Sequence, residues 1–514
     1  MPRHQAGSEI YALELCRELA ARHHVSVLCG EYDPLRPHGH LTWRVYKGLP
    51  VIELVNNWVC GSFEQTYRSP LVTDRIAHVL RAVQPDIIHV HNLLNLSLDL
   101  PDVARARGVP VVATLHDYAL VCPSGGQRIH RAERHVCDVI DTERCVRCFR
   151  ESPFPTQISA GRLAGVARVP RLTGAAVALS RRFPRLAARF ARGARHASLL
   201  TITKRDVDQR LVAARRVFEE IDLFVAPSPS IAAEFQRLGI RASKIRISDY
   251  GFVPLVSRPS DSWRKSRSAA PGWQGVTSEH TGSIRARSNA ASRDAPPGSY
   301  VTNHWDETLG RQRNGHRPPG EPLRIGYVGT LVWHKGVHVL LGAIRGLPTT
   351  GYELKIFGNP DVFPEYTVQL RAQAAGLPVR FMGSFNRERT GHVYAEIDVL
   401  VVPSLWLENS PLVIHEAFMA GIPVVGARIG GIADLVDDGR TGLLYDPSSP
   451  TGLEAILRRL IGNPERPGER GELAELAEHV RASPPVKSIA EDARDWEDTY
   501  EHILRRRTGG GHGR

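Results

Sequence analysis

Short apolar runs alternate along this chain with longer segments in which apolar residues recur every three or four positions. The short runs are typical of strands buried on both faces, and the longer pattern is typical of amphipathic helices. Because the two alternate, the pattern predicts βαβ units with parallel sheets. The predicted strands are residues 25–28, 51–54, 86–91, 109–116, 323–328, 352–357, 379–382, 399–402 and 423–425.

One long segment interrupts this alternation and divides it into two halves. Residues 257–319 are rich in Ser, Arg, Gly, Pro and Asn and hold few aliphatic residues, so they cannot bury a core. The full length of 514 residues suits two to three domains. The predicted division is a domain over 1–255, a disordered linker over 256–320, a second domain over 321–485, and a final amphipathic helix with a loose tail over 486–514.

The segment after the eighth predicted strand carries the densest set of candidate site residues. Asn409, Ser410 and Pro411 indicate a helix start, with Ser410 as the N-cap residue and Pro411 at the first helical position. The backbone N–H groups of Leu412 and Val413 would then head the helix at the carboxyl edge of a parallel sheet, where such sheets bind ligands. A helix start in this place is suited to phosphate.

Two carboxylates flank this helix start. Glu408 lies in the loop before it, and Glu416 lies more than one turn into the helix, from which its side chain points back toward the N-terminal end. A carboxylate beside a phosphate site suits the neighbouring hydroxyls of a ribose, and Glu408 could reach hydroxyls of a group attached to the phosphate. The alternative is that both are surface acids near a helix start, where acids are common.

Two further candidates lie in the first half of the chain. His116 ends a predicted strand and should face the ligand edge of the sheet, although a histidine satisfied by its neighbours is the alternative. His89 and His91 are weaker candidates for the same edge. Gly7 and Ser8 precede the first helix, where they form either an anion-binding loop or a plain turn.

A lysine in the second half suits a diphosphate. Lys335 follows the loop that begins with Gly329 and Thr330, at a junction of strand, loop and helix. Positive charge at such a junction suits a phosphate group at the edge of the sheet. A surface lysine is the alternative.

Composition and charge restrict the partners. The net charge of +12 suits a negatively charged partner, such as anionic lipid, a phosphorylated acceptor or nucleic acid. No run of eighteen apolar residues occurs and the first residues are polar, so neither a transmembrane helix nor a signal peptide is expected. The seven cysteines, four of them clustered, argue against a secreted disulfide framework.

The four clustered cysteines suggest a metal site. Cys145 and Cys148 form a C-x2-C pair, and Cys122 and Cys137 precede it within a polar segment. Four thiolates fit a tetrahedral structural zinc, and an iron–sulfur cluster takes the same type of ligand. Four free thiols, or two adventitious disulfide bridges, are the alternative, because the spacings match no standard zinc finger.

A basic stretch follows the cysteines within the predicted insertion 122–206. No acidic residue lies between Glu151 and Asp206, and SRRFPRLAARF places arginines at helical intervals beside apolar residues. This is typical of a basic amphipathic helix on an anionic membrane surface, with a solvated, irregular insertion as the alternative. Nucleic acid binding is not expected, because the stretch has few aromatic residues and no recognition-module signature.

The two glutamates, together with HEAFMAGIPVVGARIGGIADLV and DGRTGLLY after them, resemble the donor-site half of the family-4 retaining glycosyltransferases. The resemblance implies the GT-B fold, an α/β architecture with two Rossmann-like, doubly wound domains facing across a cleft. It implies a nucleotide-diphosphate sugar as donor, with Glu416 on the ribose and Glu408 on the transferred sugar. Lys335 and the amides near Ser410 to Val413 would stabilise the leaving diphosphate, and no catalytic metal is implied.

The resemblance also gives roles to the remaining candidates. It places His116 near the donor sugar, Gly7 and Ser8 in a loop that lines the cleft opposite the donor, and the final helix back across the N-terminal domain. The acceptor would be a glycan, a lipid-linked or polyprenyl-linked group, or a small molecule. The implied setting is cell-envelope polysaccharide synthesis by a cytoplasmic protein, peripheral on the inner membrane face.

The chain departs from the family pattern in three respects. Thr330 stands where the family has an arginine, so neutralisation of the diphosphate is expected to be weaker or supplied elsewhere. The predicted linker is longer than the usual connector. The family has an apolar strand before the loop at Gly7, and Met1 leaves no room for one, so the true start is expected to lie upstream.

Three other functions fit parts of this pattern. One is a nucleotide-sugar epimerase of the same fold. The second is a catalytically inactive or truncated homologue that acts as a binding protein. The third is a basic membrane-binding or nucleic-acid-binding protein in which the fold serves as a scaffold.

Overall fold

The computed structural model describes residues 7–130, 133–159, 201–255, 321–449, 451–462 and 471–509. The predicted linker 256–320 and the SRRFPRLAARF stretch lie outside these residues, as does the strand that the family places before Gly7.

The first half of the chain alternates strands and helices. Its elements are α1 (Gly7–Leu19), β1 (Val27–Glu31), β2 (Leu41–Tyr46), β3 (Leu49–Val55), α2 (Pro70–Val83), β4 (Ile88–Val90), α3 (Leu100–Arg105), β5 (Val111–Thr114), β6 (Ile129–His130), β7 (His135–Val136), α4 (Thr142–Glu151), α5 (Lys204–Glu220), β8 (Leu223–Ala226), α6 (Pro229–Arg237) and β9 (Ile245–Ile247).

The second half repeats the alternation more regularly. Its elements are β10 (Leu323–Val328), α7 (Val337–Arg345), β11 (Tyr352–Phe357), α8 (Pro364–Gln373), β12 (Val379–Gly383), α9 (Thr390–Ala395), β13 (Val399–Val402), α10 (Leu412–Met419), β14 (Val424–Ala427), α11 (Gly430–Leu435), β15 (Gly442–Tyr445), α12 (Gly452–Ile461), α13 (Gly471–Ala482) and α14 (Ile489–Gly509).

The C-terminal domain is built on one parallel sheet of six strands in the order β12-β11-β10-β13-β14-β15. Every residue of β13, β14 and β15 is buried, which explains why these strands are uninterrupted apolar runs. The strand order reverses between β10 and β13. Ligands of open α/β sheets bind at such a switch point, beyond the carboxyl ends of the strands.

The N-terminal domain holds its described strands in two larger sheets and the small antiparallel pair β6-β7. One is the parallel sheet β4-β5-β8-β9, and the other has the order β1-β3-β2. In the second sheet β1 runs parallel to β3, and β2 pairs antiparallel with β3 at the edge. Strand β2 is absent from the sequence prediction because its positions alternate between partly buried and exposed. Together the two domains confirm the predicted α/β class with parallel sheets.

The final helix, α14, crosses onto the N-terminal domain. Asp492 accepts a hydrogen bond from the Tyr11 hydroxyl at 2.7 Å, and Trp496 Nε1 donates to that hydroxyl at 3.0 Å. Trp496 is buried with Leu15 and Tyr250 in a cluster that joins α1, the end of the N-terminal domain and α14. These contacts tie the two domains together on the side of the molecule that carries α1.

Among the helices within the described ranges, none combines the length and the apolar character needed to cross a membrane.

Candidate functional site

The candidate residues of the C-terminal domain gather at the switch point of its sheet. Gly329 and Thr330 directly follow β10, and Lys335 lies in the single 3₁₀ turn Trp333–Lys335 before α7. Glu408 lies in the loop between β13 and α10. The loops after β10 and β13 therefore meet across the point where the strand order reverses.

Glu408 and Lys335 form a close ion pair at this point. Lys335 Nζ lies 2.6 Å from Glu408 Oε1, and the Ser404 hydroxyl donates to the same oxygen at 2.6 Å. The lysine ammonium also lies 5.3 Å from the centre of the Trp406 ring. Glu408 is 4% exposed, so its charge depends on these two partners rather than on water.

Glu416 is equally buried, at 4% exposed, on the inward side of α10. Arg387 Nη1 donates to its Oε1 at 2.7 Å, and the Tyr394 hydroxyl donates to its Oε2 at 3.0 Å. Burial raises the pKa of Glu416 above its ordinary value, although Arg387 and Tyr394 act in the opposite direction. The carboxylate is thus held in one orientation by two donors.

The start of α10 differs from the prediction. The helix begins at Leu412, Pro411 precedes it with ψ of 114°, and no side chain caps it, so Ser410 is not the N-cap residue. The Ser410 hydroxyl instead donates to Asp249 Oδ1 of the N-terminal domain at 2.7 Å and contacts His415 Nε2 at 2.8 Å. Capping is lost because this hydroxyl is used for a contact between the domains.

Asn409 makes a second contact between the domains. Its side-chain amide donates to the backbone carbonyls of His116 and, at 3.3 Å, of Leu115. The end of β5 therefore lies directly against the loop that carries Glu408. The backbone of His116, and not its side chain, makes this contact with the loop.

The His116 side chain belongs to a chain of aromatic rings whose three histidines are partly buried. Its Nε2 lies 2.9 Å from His91 Nδ1, and its Nδ1 lies 2.8 Å from the Tyr250 hydroxyl. His89 stacks on His91, with ring centres 4.2 Å apart. Burial lowers the pKa of His91 to about 4 and holds those of His89 and His116 well below their ordinary value. These rings are neutral near pH 7.

Close backbone approaches shape the loops around Glu408. Gly336 has a φ of +73°, and a Cβ there would lie 1.7 Å from the carbonyl oxygen of Pro403. A Cβ at Gly431 would lie 1.7 Å from the carbonyl oxygen of Asn409. Gly431 N donates to the carbonyl of Glu408 at 2.8 Å. Glycine at these two positions lets the loops after β10, β13 and β14 close around Glu408.

Gly7 lies at the cleft and faces the start of α10. The Leu412 side chain would lie 3.2 Å from a Cβ at Gly7. The Ser8 hydroxyl donates to Glu9, its neighbour in sequence, at 3.0 Å. At the other edge, Thr330 is exposed and its carbonyl accepts from the Tyr327 hydroxyl at 2.9 Å.

Sequence reasoning missed the partners of the two glutamates. Ser404 offered a weak signal, since it is a polar residue directly after a buried strand. Arg387 and Tyr394 offered none, because they lie well before Glu408 in the chain and in no recognised motif. Glu14 and Asp249 come from the other domain, so no local pattern identifies them.

The four clustered cysteines lie along the segment that runs from the end of β5 through β6 and β7 to α4. Cys137 N donates to the carbonyl of Arg128 at 2.8 Å, and Cys148 Sγ contacts the carbonyl of Ile129 at 3.6 Å. Burial, together with the other three thiols, raises the pKa of Cys145 to about 12. Within the ranges that the structure describes, no group of three or more His, Cys, Asp or Glu side chains is placed to hold a metal ion. The structure thus gives no support to the zinc site, which stays a prediction.

Two family profiles match the chain. The profile described as Glycosyltransferase Family 4 matches residues 6–249, and that described as Glycosyl transferases group 1 matches residues 310–477. Together they contain every candidate residue discussed above.

Curated relatives match over shorter lengths. A D-inositol 3-phosphate glycosyltransferase of Corynebacterium kroppenstedtii is 31% identical over 222 residues, which are 41% of this chain and 48% of the relative. A glycogen synthase of Thermus thermophilus is 32% identical over 151 residues, 29% of this chain and 33% of the relative. The chain therefore spans about half or less of the length of these relatives.

Solved structures share the fold across almost the whole chain. Anabaena HepE in complex with UDP and glucose superposes with a TM-score of 0.54 at 16% identity, covering 96% of each chain. Sucrose-phosphate synthase from Thermosynechococcus elongatus superposes with a TM-score of 0.56 at 17% identity, covering 98% of this chain and 94% of that one. These likenesses show the GT-B fold.

Proposed function

The chain belongs to the family-4 glycosyltransferases of the GT-B fold, and from this premise we propose that it transfers a sugar from a nucleotide-diphosphate sugar to an acceptor. The observation that carries the proposal is the pairing of Lys335 with Glu408 beside the start of α10, with Glu416 on the same helix. Cation, carboxylates and helix N-terminus stand together at the carboxyl edge of one sheet.

Each of these groups has a place on the donor. Lys335 and the backbone N–H groups of Leu412 and Val413 would stabilise the negative charge that develops on the leaving diphosphate. Glu416 would accept hydrogen bonds from the ribose hydroxyls. Glu408 would hold hydroxyls of the transferred sugar and, through the same carboxylate, orient the Lys335 ammonium.

We propose retention at the anomeric carbon and a hexosyl group as the transferred sugar. The support is the similarity of the E-x7-E segment to the retaining members of the family. Contact between the two domains at Asn409 and Ser410 would exclude water from the donor and limit its hydrolysis.

The acceptor is proposed from charge. A net charge of +12 favours a phosphorylated acceptor, such as a lipid-linked or polyprenyl-linked group at an anionic membrane surface, over a neutral glycan or small molecule. The basic stretch before Asp206 that would meet such a surface falls largely outside the described residues.

The test is turnover of nucleotide sugars by the purified chain. Incubation with UDP-, GDP- and ADP-sugars and a polyprenyl-phosphate acceptor should release nucleoside diphosphate and yield a glycosylated acceptor with the donor's anomeric configuration. Glu408→Gln and Glu416→Ala should abolish release, whereas Glu478→Gln, at an exposed position on α13, should not. An altered sugar without transfer would indicate an epimerase, and binding without turnover would indicate an inactive homologue.

A further inference from the structure

One arginine joins the two domains at the proposed ribose site. Arg387 Nη1 donates to Glu416 Oε1 at 2.7 Å, and Arg387 Nε donates to Glu14 Oε1 at 2.9 Å. The side chains of Glu14 and Glu416 are 14% and 6% exposed, and that of Arg387 is 36% exposed. A guanidinium therefore lies between two carboxylates that are both largely shielded from water.

The three residues come from three separate elements. Glu14 lies on α1 of the N-terminal domain, Arg387 lies in the single turn Arg387–Arg389 after β12, and Glu416 lies on α10. Only Glu14 belongs to the N-terminal domain, so its bond to Arg387 exists only while the two domains are in contact. This bond lies at the carboxylate that we assign to the donor ribose.

The charges explain why Glu14 acts through Arg387 and not directly on Glu416. Arg387 lowers the pKa of Glu416, whereas the negative charge of Glu14 raises it. Glu14 therefore does not help Glu416 to ionise. Its contribution is to hold the planar guanidinium in the orientation in which a second N–H reaches Glu416. Glu14 and Glu416 are the two carboxylates that pair with Arg387 in the described ranges.

We propose that Glu14 is a positioning residue for donor binding, which holds Arg387 against Glu416 across the cleft. Affinity for the nucleoside part of the donor is thereby linked to contact between the domains. This inference rests on the proposed function, because it takes Glu416 as the residue that binds the ribose. Arg387 opposes the effect of burial on the Glu416 carboxylate and orients it, and Glu14 keeps Arg387 in place.

The experiment measures donor affinity and turnover separately. Glu14→Ala should raise the dissociation constant of the productive nucleotide about tenfold, the effect expected from loss of one charge-assisted hydrogen bond. The turnover number at saturating donor should change much less, because Glu14 touches neither the sugar nor the diphosphate. A residue with only a structural role would not produce this division between affinity and turnover.

Two variants serve as matched controls. Glu18→Gln removes a carboxylate one turn further along α1, where it pairs with Arg22 on the surface, and should leave donor affinity unchanged. Arg389→Ala removes an exposed arginine from the same turn as Arg387 and should also leave it unchanged.

A double-mutant cycle tests whether Glu14 acts through Arg387. In an Arg387→Ala background, Glu14→Ala should have no further effect on donor affinity, because Glu14 acts through Arg387. A full tenfold loss in that background would overturn the inference.

The outcomes distinguish this inference from the function on which it rests. If no nucleotide binds the unaltered chain, both are wrong. If the nucleotide binds and Glu416→Ala abolishes binding while Glu14→Ala binds as tightly as the unaltered chain, the proposed function stands and the positioning role of Glu14 is wrong.

Discussion

The ion pair between Lys335 and Glu408 sets the charge of the site before any ligand arrives. The pair is nearly neutral overall, and its carboxylate is buried while its ammonium is 29% exposed. The ammonium therefore keeps one side open toward a negatively charged group. Glu416 differs, because Arg387 donates to one of its oxygens and Tyr394 to the other, and each oxygen keeps a further lone pair that a hydroxyl could use.

Lys335→Ala should lower turnover about a hundredfold, the scale of one electrostatic group that acts on the transition state. It should also lower the free energy of unfolding by about 1–3 kcal/mol, because the buried Glu408 carboxylate would lose the ammonium and retain only the hydrogen bond from the Ser404 hydroxyl. Steady-state kinetics and denaturant unfolding measure the two effects. Lys335→Arg should retain part of both, and unchanged turnover in Lys335→Ala would remove Lys335 from the reaction.

The partly buried histidines predict a specific dependence of stability on pH. Burial lowers the pKa of His91 from 6.5 to about 4, so between these values the unfolded chain binds a proton that the folded chain excludes. The contribution of His91 to stability should therefore be constant above pH 6.5 and fall as the pH drops toward 4. His91→Asn should reduce this slope by about 1.4 kcal/mol per pH unit.

Unfolding in denaturant at pH 7.5, 6 and 5 measures the slope. His502→Gln, at an exposed position on α14, is the control and should keep the slope of the unaltered chain. An equal slope in His91→Asn would show that this ring does not exclude the proton.

At the scale of elements, the loops of the site depend on glycines that no helix or strand propensity requires. Gly336 begins α7 in the left-handed region, and its backbone lies against Pro403 at the end of β13. This approach brings Lys335 within reach of Glu408. The buried strands thus set where the loops begin, and the glycine lets two loops approach closely enough for the ion pair to form.

Gly336→Ala should destabilise the chain by several kcal/mol, since a Cβ would overlap a carbonyl oxygen and the φ of +73° is unfavourable for alanine. Thermal unfolding measures the loss. Gly342→Ala is the matched control on the same helix, where nothing lies within 4 Å of the added Cβ, and it should stabilise slightly. Equal melting temperatures for the two variants would contradict the close approach.

The predicted metal site lies in the segment that holds the four clustered cysteines, close to a buried arginine. Arg210 is buried, stacks on Tyr67 and donates to the carbonyl of Ala119, and no carboxylate in the described ranges pairs with it. Burial is the largest effect on the pKa of Arg210 and lowers it, whereas Cys122, Tyr67 and Cys145 act in the opposite direction. Metal-bound thiolates would supply the negative charge that this buried cation lacks.

If the four-cysteine prediction from the sequence is right, elemental analysis of the purified chain should find about one zinc per molecule, lost in Cys145→Ser together with a fall in melting temperature. Cys60→Ser, outside the cluster, should retain it. Absence of both zinc and iron would remove the metal prediction, and iron instead of zinc would indicate a cluster.

Prediction from sequence worked best where one physical effect dominates. Strands β10, β11 and β13 were predicted at their observed bounds, because strands buried on both faces leave an apolar run that ends at the sheet edge. The start of α10 was wrong, because the Ser410 hydroxyl serves Asp249 in the other domain. The bond between Glu14 and Arg387 spans 373 residues and leaves no local pattern.

At the scale of the whole molecule, the proposed donor site is assembled from both domains. The C-terminal domain supplies the two glutamates and Lys335, and the N-terminal domain meets them through the end of β5, Asp249 and Glu14. Helix α14 holds the domains together at a second place, through Tyr11. Contact between the domains is therefore part of the proposed donor site, and agents that separate the domains should weaken donor binding.

The most direct test of the central claim is thermal unfolding of the chain with UDP, GDP and ADP, in parallel with Glu416→Ala and the exposed control Glu478→Gln. A ligand that binds only the folded state raises the melting temperature by mass action. We predict that one nucleotide raises it for the unaltered chain and for Glu478→Gln but not for Glu416→Ala. An equal shift in Glu416→Ala, or no shift with any nucleotide, would contradict the assignment of the donor site.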